Sequence, residues 1–549
     1  MPKIKYKNCS LSTLLGIAVS MFAVSCAGPV DEIIPSRSAQ LSTDSAAELR
    51  QIAYIKASNT GGGDNFGAGG NISGDAVVLS KDGGTLAVGA PFESSSSSGV
   101  GGNQVDKSLY GSGAVYIFTH QGDNWVQQAY LKASNPGLMD NFGFVTALSG
   151  SGNTLAVSAY SESSGDAGVE ADQSDNSIPQ AGAVYIFTRT GDSWDQQAYI
   201  KSSNIGERGF GDGDQFGAAL TLSDDGNVLA VSAITEDGGS PGIDGDEMDN
   251  SKPDAGAVYL FQRNGNTWAQ SAYVKASNPS DGDLFGYSVS LSADGRRLAV
   301  GSYDEDGSLA GSNEQQDDEL DESGAVYVFD YSGEVWNQTA YLKASNAGSG
   351  DALGVAVAIS GDGNTLVATA ADEDGMVTGV NGIQDQTVSV DAADSNIAAG
   401  AIYVFVHTNG SWSQQAYVKA SNTGVNDWFG SRVALSGDGN ILAAGAQLED
   451  SAAQGIDGIQ DDDTATAAGA VYLFARTEGV WSQIAYMKGS NTEAFDEFGS
   501  SISLSRDGSL IAIGAQYEDS ASVGLGGNQT DNSGFDSGAV YLFSGEVEL

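Results

Sequence analysis

The chain has 549 residues, 71 acidic against 23 basic, for a net charge of −48. So much negative charge argues against nucleic acid and anionic membrane surfaces as partners, and favours cations, cationic partners or a salty medium. The only cysteines are Cys9 and Cys26, so a chain that has lost its leader has no disulfide and depends on packing, hydrogen bonds or ions.

The chain opens with Lys3, Lys5 and Lys7, followed by an apolar run from Leu11 to Val24. Charge followed by a short apolar run is the layout of a secretory signal, and the run is short for a membrane span. Ala23-Val24-Ser25-Cys26 resembles the bacterial lipobox, with Ala23 where Leu is commoner. The resemblance implies a lipoprotein signal peptide over 1–25 and lipidation of Cys26. Ala27 is not Asp, which in that pattern points to the outer membrane or cell surface. An ordinary cleaved signal is the alternative. Residues 26–50 read as a flexible tether, and no later segment is apolar enough to span a membrane as a helix.

From residue 51 onward the sequence repeats. Phe-Gly recurs at Phe66, Phe142, Phe216, Phe285, Phe429 and Phe498, with Leu353-Gly354 as a variant, at a mean spacing of 72 residues. A fixed period of this kind signals a repeat architecture. In the fourth copy, "FGYSVSLS" alternates apolar and small residues, which is the period of a strand. "ADG" is hairpin chemistry, and "RRLAVGS" is a second strand. After a long acidic loop, "GAVYVF" is apolar on both faces, as a strand covered on both sides would be. A turn then leads into "WNQTAYLKAS", the fourth strand. Four antiparallel strands in each of seven copies predict an all-β, seven-bladed β-propeller over 51–549. The chain ends after a third strand, "GAVYLF", and "QIAYIKASN" at 51–59 is a fourth strand with no third before it. The N-terminal strand is therefore expected to complete the last blade, which leaves neither end with an open edge.

Phe66-Gly67 followed by Gly89-Ala90-Pro91 spells out, and resembles, the FG-GAP repeat of integrin α-subunits and related bacterial proteins. Other copies read "VSA", "VGS", "ATA" or "AGA" in place of Gly-Ala-Pro. The resemblance implies a propeller with a binding or adhesion role, and often a calcium loop between the first two strands. This chain departs from that pattern: its turns, such as "LSGDGNIL", keep about one acid before the glycine, too few oxygens for calcium, and read as tight hairpins.

The acid sits instead between the second and third strands. These loops span 22 residues in copies one, two, three, six and seven, 21 in copy four and 29 in copy five. Such constancy implies that something holds them. Five open with an acidic pair: Glu236-Asp237, Glu305-Asp306, Glu373-Asp374, Glu449-Asp450 and Glu518-Asp519. Gly- and Asp-rich centres follow, including Asp457, Asp461 and Asp531. Carboxylates and backbone oxygens on glycine-permitted bends are the hard-oxygen set that Ca²⁺ takes, so these thirteen acids are the expected metal ligands, calcium the expected cofactor. The same residues also read as Asx turns and solvated acid, which need no metal. Each copy further carries a lysine in "KASN" and an aspartate two residues before the Phe position. Both are expected to be scaffold, with the aspartate satisfying backbone N–H groups in the turn between blades.

No Ser-His-Asp set, zinc motif or Walker loop is present. His120 and His407 occupy a turn position that other copies fill with Arg189, Arg263 or Arg476. The expected function is a monomeric binding or adhesion module at a bacterial cell surface, for an extracellular protein or glycan ligand, touching the membrane only through its lipid anchor. The alternatives are a glycan-active hydrolase or lyase and a passive structural lipoprotein of the envelope. An enzyme should show a non-repeated polar cluster, with copy five the first place to look.

Overall fold

The computed structural model describes residues 48–69, 74–122, 124–206, 213–307, 320–384 and 397–545. The expected signal peptide, Cys26 and the tether up to residue 47 lie outside these. The described residues form seven four-stranded antiparallel sheets and contain no α-helix. Blade one consists of Val77–Leu79, Thr85–Ala90, Ala114–Gln121 and Asn124–Leu131, paired in that order. Blades two to six repeat this plan.

Blade seven takes strands from both ends of the chain. Phe498–Leu504, Leu510–Ala515 and Ala539–Ser544 supply its inner three strands, and Arg50–Ile55 pairs antiparallel with Ala539–Ser544 as the outer one. The expected closure is present, and the strand begins one residue earlier than the sequence suggests.

The third strand of each blade is buried on both faces, which explains why "GAVYLF" carries no polar residue. The Phe-Gly pair packs each blade onto its neighbours. Phe142 is fully buried, edge-on to Tyr185 and Phe187 of its own blade. Gly143 adopts φ 93°, and a Cβ there would stand 2.5 Å from the carbonyl oxygen of Ala114 in blade one. A Cβ at Gly113, which opens "GAVY", would likewise collide with the Phe142 backbone. Only glycine permits both the positive φ and this approach.

On the opposite side, the hairpins between first and second strands bond head to tail around the axis. The N–H of Gly150 donates to Asp224, Asp224 to Ala293, Ala293 to Gly361, Gly361 to Gly437, Gly437 to Arg506 and Arg506 to Lys81, all at 2.7–3.0 Å. Asp82 N–H closes the circle on the Gly150 carbonyl. This belt gives the molecule two faces: a hairpin face, which also holds the turns between third and fourth strands, and a loop face, which holds the long acidic loops and the turns between blades.

Candidate functional site

Each long loop on the loop face is anchored by its first glutamate. In blade six Glu449 is about 1% exposed. Its Oε2 accepts from Lys488 Nζ at 2.7 Å and from the Ser451 N–H at 3.2 Å, and its Oε1 from Tyr486 Oη at 2.8 Å and Asn422 Nδ2 at 2.9 Å. Four donors use the acceptor capacity of one carboxylate. The buried ion pair recurs in every blade: Lys56–Glu518, Lys132–Glu93, Lys201–Glu162, Lys275–Glu236, Lys343–Glu305, Lys419–Glu373 and Lys488–Glu449, at 2.7–3.0 Å. Burial depresses the lysine pKa and the facing glutamate opposes it. Copies one and two, poorest in acid by sequence, therefore keep the residue that matters, Glu93 and Glu162.

The "KASN" segment is divided between two blades. Its lysine serves its own blade, and its Ser-Asn reaches the next. Asn422, at the end of blade five, donates to Glu449 and to the Gln460 carbonyl, and accepts from Tyr472 Oη. Ser421 donates to the Gln460 side chain. The same clasp joins Asn491 to Glu518, the Gln529 carbonyl and Tyr541. Between these anchors the loop runs along the end of the outer strand, with single antiparallel bridges such as Ile456 to Met487 and Val169 to Ile200. The near-constant length fits this path from a buried glutamate, over the outer strand, to the neighbouring blade.

The other expected metal ligands are dispersed along the same path. The second acid of each pair caps the loop's return: Asp237 Oδ1 accepts from Asp254 N–H, Asp306 from Glu322, Asp374 from Ile397, Asp450 from Ala467 and Asp519 from Asp536, at 2.8–3.0 Å. Four of those five donors, all but Ile397, have positive φ, a conformation that gains from a side-chain acceptor. Asp457 accepts from Tyr486 N–H, Asp531 closes an Asx turn on Ser533, and Asp461 is exposed. The structure thus spreads these acids over several anchoring tasks. No group of three or more acids, histidines or cysteines that could hold a metal occurs among the described residues. With the lone pairs of the glutamates taken and the aspartates apart, the donor set does not fit a calcium ion that needs six to eight oxygens at one point.

The aspartates before the Phe position cap the turns between blades. Asp140, Asp427 and Asp496 accept from the N–H of Gly137, Gly424 and Glu493 at 2.6–2.9 Å. Burial, with nearby acids adding to it, pushes Asp140 and Asp427 up to about 7 and Asp496 up to about 8. Asp64 reaches only about 6, because Lys107 at 2.9 Å opposes its burial. The hairpin acids behave as the tight turns expected, with Asp438 accepting from Ser436 and Asn440.

One polar cluster on this face is confined to blades four and five, where Asp304 and Asp372 each precede the buried glutamate, although its aromatic pair has a counterpart in Phe144 and Tyr160 of blade two. Tyr287 and Tyr303 pack at 4.2 Å in blade four, beside Asp304. Burial and neighbouring acids push Asp304 and Asp372, of blade five, up to about 6. The part of the blade-five loop that makes it long, 385–396, lies outside the described residues.

Comparison with protein families matches the FG-GAP repeat to residues 268–329, 412–474 and 481–543. The chain carries FG-GAP repeats. Each match runs from the outer strand of one blade to the third strand of the next, so the FG-GAP unit straddles two blades. In that phase the propeller, from Arg50 to Ser544, divides into seven whole structural units, three of which match the FG-GAP repeat, and the shared last blade follows from the phase. The chain finds no match among curated proteins.

Proposed function

We propose that this FG-GAP propeller is a surface binding module whose loop face receives an extracellular protein or glycan. The observation that carries the reading is the clasp: loops bearing most of the acid are fixed at both ends and along the outer strand, so their exposed residues form a preorganised surface, which lowers the ordering cost of binding. The point of entry of the chain supports it. Arg50 pairs with Ser544 at the hairpin face, so the chain joins the propeller on the side opposite the loop face and leaves that face uncovered by its entry. With the lipid anchor expected at Cys26, Cys26→Ser should release the protein from membranes. The test is an array of glycans and matrix proteins, probed with the whole protein in calcium and in chelator. Retention of a ligand that is lost when exposed loop residues such as Asp461 and Ile459 are replaced supports the reading, and retention insensitive to every loop replacement rejects it.

A glycan-active hydrolase or lyase is the second reading, favoured by Asp304 and Asp372, whose raised values suit proton transfer near neutral pH. Turnover of an acidic or neutral glycan that Asp304→Asn abolishes would establish it over simple binding.

A further inference from the structure

On the loop face, the turn between two blades donates a backbone N–H to the returning loop of the blade before it. The Phe495 N–H donates to the Thr466 carbonyl, that of Gly63 to Phe535 and that of Met139 to Tyr110, at 2.8–3.0 Å. From the seam between blades six and seven to that between one and two, this bridge carries large apolar side chains in solvent: Phe495, Phe535, Tyr110, Met139 and, next to it, Leu138. Trp428 stands out from the turn one seam earlier, between blades five and six. These six side chains are 38–71% exposed. The segments adjoin one another. The Asn532 amide, in the loop of Phe535, donates to Glu493 in the turn of Phe495, and Lys107, in the loop of Tyr110, pairs with Asp64 beside Gly63. The side chains therefore follow one arc of the face. At the seams between blades three and four and between four and five the bridge is made by Pro253, Gly282, Asp321 and Gly350, and no large apolar side chain is exposed there.

Folding gains little from this arc. Phe495 and Met139 have φ 70° and 62°, at a position that Gly63, Gly282 and Gly350 fill elsewhere, also at positive φ. A left-handed backbone is costly for a bulky residue and easy for glycine. The exposed Phe495 ring buries too little to offset that cost, and strain of this kind gathers at ligand contacts. The charge around the arc selects the partner. Among the described residues, every lysine of the loop face is paired: seven with the buried glutamates, Lys107 with Asp64 and Lys252 with Asp281. Arg432 is buried and paired with Asp75. Asp463 and Glu493, in the loop and turn at the Phe495 bridge, are exposed, and Asp536 next to Phe535 is half-buried. Large apolar anchors set among acids that no free cation offsets are complementary to a polypeptide that presents basic and apolar residues together.

We propose that the arc from Trp428 to Met139 docks a basic, apolar-bearing segment of a protein partner, with the rings as anchors and the acids facing its lysines and arginines. The proposal rests on the reading of the loop face as the binding face, and names the class of its partner.

The test measures fluorescence anisotropy of two labelled peptides with the whole protein, one of alternating arginine and tryptophan, the other of alternating glutamate and tryptophan. The arginine peptide should bind saturably and the glutamate peptide should not. Trp428→Asn, Phe495→Gly and Phe535→Thr together give these positions residues that other seams carry, and leave the net charge unchanged. That variant should weaken the arginine peptide about tenfold or more, with a melting temperature no lower than before. Undiminished binding in the variant would reduce the effect to attraction by net charge and overturn the proposal. So would a glutamate peptide bound as tightly, or a lower melting temperature, which would assign the rings to the fold. A glycan whose retention on the array is lost in the variant, with no binding of the arginine peptide, would overturn the partner class and leave the loop-face reading standing. Loss of the loop-face reading itself would show as ligands insensitive to every loop-face replacement.

Discussion

The Glu449 carboxylate has four donors, and Lys488 has Glu449 as its charge partner, so removing either residue strands the other without water. Breaking a buried pair from one side costs about 3–5 kcal/mol, whereas replacing both partners by apolar groups costs much less. Lys488→Met should therefore lower unfolding free energy by about that amount in chemical denaturation, and adding Glu449→Gln should recover part of it, because a neutral amide oxygen still accepts from Tyr486 and Asn422 without an unpaired charge. The loss should be the same in calcium and in chelator, since the carboxylate serves the lysine. A calcium-dependent loss would return Glu449 to the metal. Asp496 makes a second residue-scale prediction. Its folded value, about 8, lies above the roughly 3.9 of an unfolded aspartate. Between these values the folded state binds the extra proton, so this group's contribution to stability is full below about pH 4 and is lost as pH rises towards 8. Asp496→Asn should raise stability at pH 8 more than at pH 5; an equal change at both would refute the assignment. The sequence shows which residues recur but not their pairing. Lys488 and Glu449 are 39 residues apart and meet only through the fold. A lysine in all seven copies at the end of an apolar strand is the signal that a buried acid is needed. The neighbouring aspartates point to acidic pairs instead, although only the glutamate repeats in every blade.

At the scale of the element, the long loop behaves as a strap. A glutamine or glutamate falls 11 residues after the buried glutamate in all seven copies: Glu93 to Gln104, Glu162 to Gln173, Glu236 to Glu247, Glu305 to Gln316, Glu373 to Gln384, Glu449 to Gln460 and Glu518 to Gln529, with Gln316 outside the described residues. That spacing is legible in the sequence, but its meaning depends on where the next blade lies, which strand periodicity does not supply. Asn422→Ala removes a donor to Glu449 and an acceptor for Tyr472 at once, leaving buried polar groups unpaired at about 1–3 kcal/mol. Gln460→Ala breaks a more exposed contact and should cost under about 1 kcal/mol. Limited proteolysis should therefore cut the blade-six loop sooner in Asn422→Ala than in Gln460→Ala. The reverse order would mean that the glutamine, and not the asparagine, holds the strap. Strands and hairpins are legible in the sequence because alternation and Asp-Gly turns are local. Strap and clasp are not, because they are contacts between blades.

At the scale of the whole molecule, three circuits close the ring: the shared last blade, the belt of hairpin hydrogen bonds, and the seven Ser-Asn clasps. The first is readable from the sequence, since a fourth strand without a third and a third without a fourth can only be partners. The closing strand also carries Tyr54 and Lys56 to Glu518, and the residues after it bring Asn59 to Glu93, so the last ion pair and the first clasp depend on it. The most direct test of this closure compares thermal and chemical unfolding of the chain beginning at Ala47 with the chain beginning at Thr60. Without Arg50–Ile55 the edge of Ala539–Ser544 is open and Glu518 is buried without its lysine, so the shorter protein should aggregate or unfold at a much lower temperature. A shorter protein that remains monomeric and unfolds at the same temperature as the longer one would contradict the closed ring.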